Sequence, residues 1–134
     1  MRYQRAETPA RLDGHEAARR FFAHCFAGRP SADEQLWVAH VDRQARCLAL
    51  SSHGGTAGEV EIPVRQIIGD AARLGSAGIL IAHNHPSGDS TPSGSDCRAT
   101  RKLAAAAEAI DLTVVDHLVF GGDDCQSFRR MGLL

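Results

Sequence analysis

At 134 residues and 14.4 kDa the chain has the size of one ordinary domain, with room for a core. It is 43% hydrophobic and 23% charged, a balance that speaks against disorder. Fifteen Lys and Arg against sixteen Asp and Glu leave a net charge of −1, which gives no global basic signal for nucleic acid or a membrane surface.

The first twenty residues mix Arg, Glu and Asp and hold no apolar stretch, so neither a secretory leader nor a transit segment is expected. No apolar run approaches bilayer-spanning length, and a cytoplasmic protein is the expectation. Asp13 is the predicted N-cap of a helix over 13–26, with Ala17, Phe21 and Cys25 along one face and Gly28-Arg29-Pro30 as its stop. Residues 35–41 carry apolar side chains on both alternating faces, which predicts a strand covered on both sides. Asp42-Arg43-Gln44 turns the chain into a second strand over 45–51, making an antiparallel hairpin. A loop over 51–56 and a third strand over 58–62 follow. Pro63 opens a helix that ends near Leu74-Gly75.

The near-continuous apolar run 77–83 belongs at a sheet centre. Ser93-x-x-Asp96 has the form of a capping box and starts a helix to about Ile110. Its buried face is expected to hold Cys97, Thr100, Ala104, Ala107 and Ile110, with Arg98, Arg101 and Lys102 outside. A last strand spans 112–120. Cys25, Cys47, Cys97 and Cys125 are widely spaced, with no C-x-x-C, and read as reduced thiols packed as small apolar residues. The basic pairs Arg19-Arg20, Arg101-Lys102 and Arg129-Arg130 read as solvated faces.

The chemistry lies after the 77–83 strand. Residues i and i+2 of a strand share a face, so His83 and His85 can aim both imidazoles at one ion, and Asp96 arrives from the following helix start. Two nitrogens and one carboxylate oxygen, with a position left for water, make the ligand count of a catalytic zinc site. A lone His-x-His is weak; Pro86, Ser93 and Asp96 at fixed offsets make the pattern specific. His117 beside Asp116 is expected to be a hydrogen-bonded core residue outside the metal shell. His15, His24, His40 and His53 have no partner at ligand spacing and read as surface or packing residues.

His83-x-His85-Pro86, six residues, then Ser93-x-x-Asp96 resembles the metal motif of the JAMM (MPN+) metalloproteases. The fuller string His83-Asn84-His85-Pro86-Ser87-Gly88-Asp89, with Pro92-Ser93, Asp116-His117 and the closing Ser127-Phe128 and Gly132-Leu133-Leu134, is similar to the RadC branch, over residues 30–134. The resemblance implies an α/β (α+β) fold of the MPN/JAMM type (cytidine-deaminase-like), a mixed sheet flanked by helices. It implies one RadC-like JAB/MPN domain over 1–134, with 1–30 as a helical extension. It also implies one zinc ion per chain on His83, His85 and Asp96 and hydrolysis of an amide or isopeptide bond in a peptide or protein.

The family uses a glutamate ahead of an apolar strand as general base. Of the six glutamates, Glu34 directly precedes the strand from Leu36 and is favoured, with Glu59 and Glu61 as rivals. Glu7 and Glu16 fall in the variable start, and Glu108 is on the solvent side of a helix. Ser93 matches the family's oxyanion-stabilising serine as well as a helix cap. A DNA-repair-associated or non-catalytic interaction module is the alternative. The helix-hairpin-helix typical of RadC proteins is not expected in residues 1–30, and the neutral charge gives no specific binding of nucleic acid. Inactive members have typically lost metal ligands, whereas all three stand here.

Overall fold

The protein is described from a computed structural model covering residues 2–4, 10–27, 33–54 and 61–134. The elements run β1 (Arg2–Gln4), α1 (His15–Ala27), β2 (Gln35–Val41), β3 (Cys47–Gly54), α2 (Val64–Leu74), β4 (Gly78–Asn84), α3 (Gly94–Glu108), β5 (Thr113–Gly121) and β6 (Asp124–Ser127). They build one mixed six-stranded sheet in the order β1-β3-β2-β4-β5-β6. β4 sits inside it, antiparallel to β2 and parallel to β5. This is the mixed sheet flanked by helices that the family resemblance implies.

Both faces of the sheet are covered, as the two-sided apolar pattern of β2 requires. On one face Leu36, Val38, Ile79 and Ile81 pack against Ile67 and Ala71 of α2 and Leu103 and Ala107 of α3. On the other, Ala39, Val41, Leu80 and Ala82 pack against Ala18 and Phe22 of α1. Period-two alternation along β4 therefore carries His83 onto the α2/α3 face, in line with Ile79 and Ile81.

In β5 that alternation is broken. The pairing with β4 shifts register between Ile79 and Leu80, opposite Val114 and Asp116, so Val115 is an extra residue. Val115 packs with the α1-side core, and Asp116 pairs with Leu80 of that same core. The next residue, His117, is then returned to the α2/α3 face. An unbulged strand would have turned His117 the other way.

Several local expectations are corrected. The buried face of α1 is Ala18 and Phe22, one residue on from Ala17 and Phe21. The helix starts at His15, later than the Asp13 cap implied. β3 continues through residues read as loop, because Ser51, Ser52, His53 and Gly54 pair with β2 and the first two also with β1. Ile110 is 40% exposed. α3 closes at Glu108, Asp111 takes a left-handed φ of 55°, and Leu112 is buried instead. Glu61 and Ile62 lie in no strand; residues 55–60, and with them Glu59, lie outside the described residues, as do Glu7 and the expected helix stop at 28–30. β1 and β6 are additions to the predicted elements. α2 ends as expected, with Gly75 left-handed at φ 67°. No helix among the described residues is long and apolar enough to cross a membrane.

His40 shows what this two-sided burial does to a polar side chain. It is fully buried; its Nδ1 meets Ser76 Oγ at 2.9 Å, and its Nε2 finds no partner among the described residues. Burial pushes its imidazole down to about 4, against the pull of Asp70. The unfolded chain therefore binds a proton that the folded one refuses between about pH 6.5 and about pH 4. Stability from this group is complete above the upper value and is lost as pH falls through the window. His40→Leu should flatten the fall of unfolding free energy across that window relative to the parent chain, measured by urea denaturation at a series of pH values.

Candidate metal centre

Three elements bring the site together. β4 carries His83 one residue before its end, the loop after it carries His85, and the first turn of α3 carries Asp96. His83 Nε2 and His85 Nε2 are 3.0 Å apart, His85 Nε2 lies 3.1 Å from Asp96 Oδ2, and His83 Nε2 lies 3.4 Å from Asp96 Oδ1. Among the described residues this is the group of His, Cys, Asp or Glu able to hold a metal ion. Donors about 2.0–2.1 Å from a tetrahedral zinc stand about 3.3 Å from one another. The observed spacing fits that ion.

The proton positions decide whether the donors also fit it chemically. His85 Nδ1 lies 2.7 Å from the Asp89 carbonyl and donates to it, so in the neutral ring His85 Nε2 carries a lone pair. His83 Nδ1 lies 2.6 Å from His117 Nε2, His117 Nδ1 lies 2.7 Å from Thr100 Oγ1, and Thr100 Oγ1 lies 2.8 Å from the Asp96 carbonyl. With Thr100 donating to that carbonyl, each nitrogen donates to the next acceptor and His83 Nε2 is left with its lone pair facing inward. Reversed, the same chain places a proton on His83 Nε2, between His85 and Asp96. Atoms this close call for an electropositive partner between them, either an N–H proton or a cation.

His117 is thus a hydrogen-bonded core residue, as expected, and it orients a candidate ligand. Burial and the neighbouring His83 push its imidazole well below the ordinary value, outweighing Asp96, so it is neutral. Its ring stacks on Phe128 at 4.4 Å. Asp116, on the other face, accepts from the His117 and Arg129 backbone N–H groups and the Ser127 hydroxyl, at 2.7, 3.0 and 2.5 Å. That fixes the turn that carries Phe128. Neither role is legible in the sequence, because both depend on the bulge at Val115.

Asp96 and Ser93 form a full capping box. Asp96 N–H donates to Ser93 Oγ at 3.0 Å, and Ser93 N–H donates to Asp96 Oδ2 at 2.8 Å. Burial presses the Asp96 carboxyl upward; the hydrogen bond and charge of His83, with those from Ser93, hold it well below the ordinary carboxylate range.

The loop before Asp96 is pinned from beneath. His85 N–H donates to the Phe120 carbonyl at 2.6 Å, and Ser90 Oγ donates to Asp124 Oδ2 at 2.7 Å. The first of these bonds leaves the β4–β5 ladder at its very end, where His85 follows Asn84. Gly121 lies so close to the loop that a Cβ there would come within 2.6 Å of Ser90 N and 2.7 Å of the Asp89 carbonyl carbon.

Glu34 is 8% exposed, and its Oε1 stands 4.0 Å from His85 Nε2. Glu61 is exposed on the wall of an open groove of 760 Å³ between the start of α2 and the outer side of α3. Ser95, next to Asp96, lines the same groove.

The sequence model of the RadC-like JAB domain matches residues 12–133. The UPF0758 protein YfjY of Escherichia coli (strain K12) is 33% identical over 129 residues, which is 96% of this chain and 79% of that protein. A UPF0758 protein of Bordetella avium is 33% identical over 120 residues, 89% of this chain and 52% of its own length. One of Paraburkholderia xenovorans is 37% identical over 123 residues, 90% of this chain and 47% of its own length. The chain spans about half the length of these last two relatives.

Two substitutions away from the three candidate ligands test the supporting bonds. Thr100→Val keeps the side-chain shape but removes the acceptor for His117, and any affinity of the cluster for a divalent metal should fall about 10–100-fold. Gly121→Ala should likewise weaken any such metal affinity by pushing the Asp89–Ser90 backbone away, while the unfolding transition remains cooperative. Competition with a chromophoric chelator measures both; unchanged affinity in Thr100→Val would remove the hydrogen-bonded chain from the site's design.

Proposed function

The chain belongs to the RadC-like JAB domain family, and on that footing we propose that it is a zinc-dependent metallohydrolase cleaving an amide or isopeptide bond in a peptide or protein. The observation that carries the reading is the convergence of His83 Nε2, His85 Nε2 and Asp96 on one point, with the Glu34 carboxylate 4.0 Å from His85 Nε2. Two imidazoles and a carboxylate suit zinc, one ion per chain, and leave a coordination position open. When bound, zinc supplies a Lewis acid for the scissile carbonyl and lowers the pKa of its water to about 7.

The chain's own groups supply the rest. Glu34 takes a proton from the attacking water and delivers it to the leaving amine nitrogen as the C–N bond breaks. Ser93 Oγ accepts from Asp96 N–H, so its hydroxyl proton is available to the carbonyl oxygen as negative charge builds there. A peptide partner also suits a net charge of −1 better than duplex DNA does.

Elemental analysis of the dialysed protein should find one zinc per chain, and a mixture of internally quenched peptides should be cleaved only by the zinc-loaded form. Glu34→Gln should keep the metal and lose about 10²–10⁴-fold in turnover. Full activity in that variant would take the base role from Glu34, and a chain that takes up no zinc would overturn the reading as a whole.

A further inference from the structure

We propose that Asn84, between the two histidines, is a positioning residue for Glu34: its side-chain amide grips the backbone on both sides of that residue. The Gln35 N–H donates to Asn84 Oδ1 at 2.7 Å, and Asn84 Nδ2 donates to the Asp33 carbonyl at 3.4 Å. The amide can take only this orientation, since the peptide N–H needs an acceptor and the carbonyl needs a donor.

The need for such a grip follows from the ladder. The pairing of β2 with β4 ends at Leu36 and His83, and β2 itself begins at Gln35. Glu34 therefore stands just beyond the last backbone pair, where the two strands no longer fix its position by themselves. Asn84 extends the ladder with a side chain in place of backbone. Alternation along β4 turns Asn84 away from the face that carries His83, so it acts on the site only through residues 33–35. The tripeptide His83-Asn84-His85 then does two things: its outer members supply candidate ligands, and its middle member sets the distance of the carboxylate from them.

This inference rests on the reading of Glu34 as the base, and the test separates the two. In the zinc-loaded full chain, Asn84→Ala should leave zinc stoichiometry unchanged and speed amide exchange at Gln35. Zinc loading should move the Glu34 Cδ resonance in the parent chain, and that response should be lost in the variant. Turnover of the internally quenched peptide mixture should fall about 10²-fold, the scale of a misplacement of about 1 Å, with KM unchanged. No further loss should appear when Asn84→Ala is added to Glu34→Gln. Loss of zinc in Asn84→Ala, an unchanged Glu34 response, or a loss additive with Glu34→Gln would each overturn the proposal. If Glu34→Gln leaves turnover intact while the Glu34 response still depends on Asn84, the catalytic reading of Glu34 falls and the positioning role stands.

Discussion

His83 Nε2, His85 Nε2 and the Asp96 carboxylate lie between 3.0 and 3.4 Å from one another, and atoms this close call for an electropositive partner between them, an N–H proton or a cation. The surrounding structure holds the three in place from three directions. The Asp89 carbonyl fixes the ring of His85, the Thr100–His117 pair fixes that of His83, and the Ser93 backbone fixes the carboxylate of Asp96. Each group is held by a bond to an atom that is not among the candidate ligands. The three groups are therefore preorganised by their neighbours.

The sheet provides the geometry for this. Burial on both faces forces β4 to be apolar up to His83, so the histidine emerges where the core ends and α3 begins. The parallel β4–β5 pair places the end of β5 beside the same edge, and the bulge at Val115 changes which face each β5 side chain occupies. Asp116 goes to the α1 side, where it fastens the turn at 127–129, and His117 goes to the site side. A single extra residue thus separates two adjacent polar side chains into a structural anchor and an orienting ring.

How much of this could be read in advance depends on where the information sits. The strand over 35–41, the α2 boundaries and the Ser93 cap carry local signals: alternation, a proline with a glycine, and a capping box. The three candidate ligands lie on elements whose spacing is itself local, so they could be named from sequence. The long extent of β3 was not legible, because Ser51 to Gly54 are polar and join the sheet through partners distant in sequence. The same holds for β6, a short polar strand held by its hairpin with β5. The part of His117 in orienting His83 was hidden by the bulge, since regular alternation from Val114 predicts the opposite face. The role of Asn84 has no local signal, because its partners lie 49 and 51 residues away.

The helix cap and the candidate metal centre make overlapping demands on Asp96, and the overlap separates a structural explanation from a functional one. Capping accounts for Ser93 and for one oxygen of Asp96, a contribution of about 1 kcal/mol that any helix could use. It accounts for neither histidine. His83 is fully buried, and a buried imidazole is tolerated when its nitrogens are paired; here one nitrogen is paired to His117 and the other is directed at His85 and Asp96. A fold seeking only stability would fill that position with an apolar residue like Ile79 and Ile81, its neighbours on the same face. The arrangement is what an ion-binding site requires, and the capping box is the part of it that helix formation provides in any case.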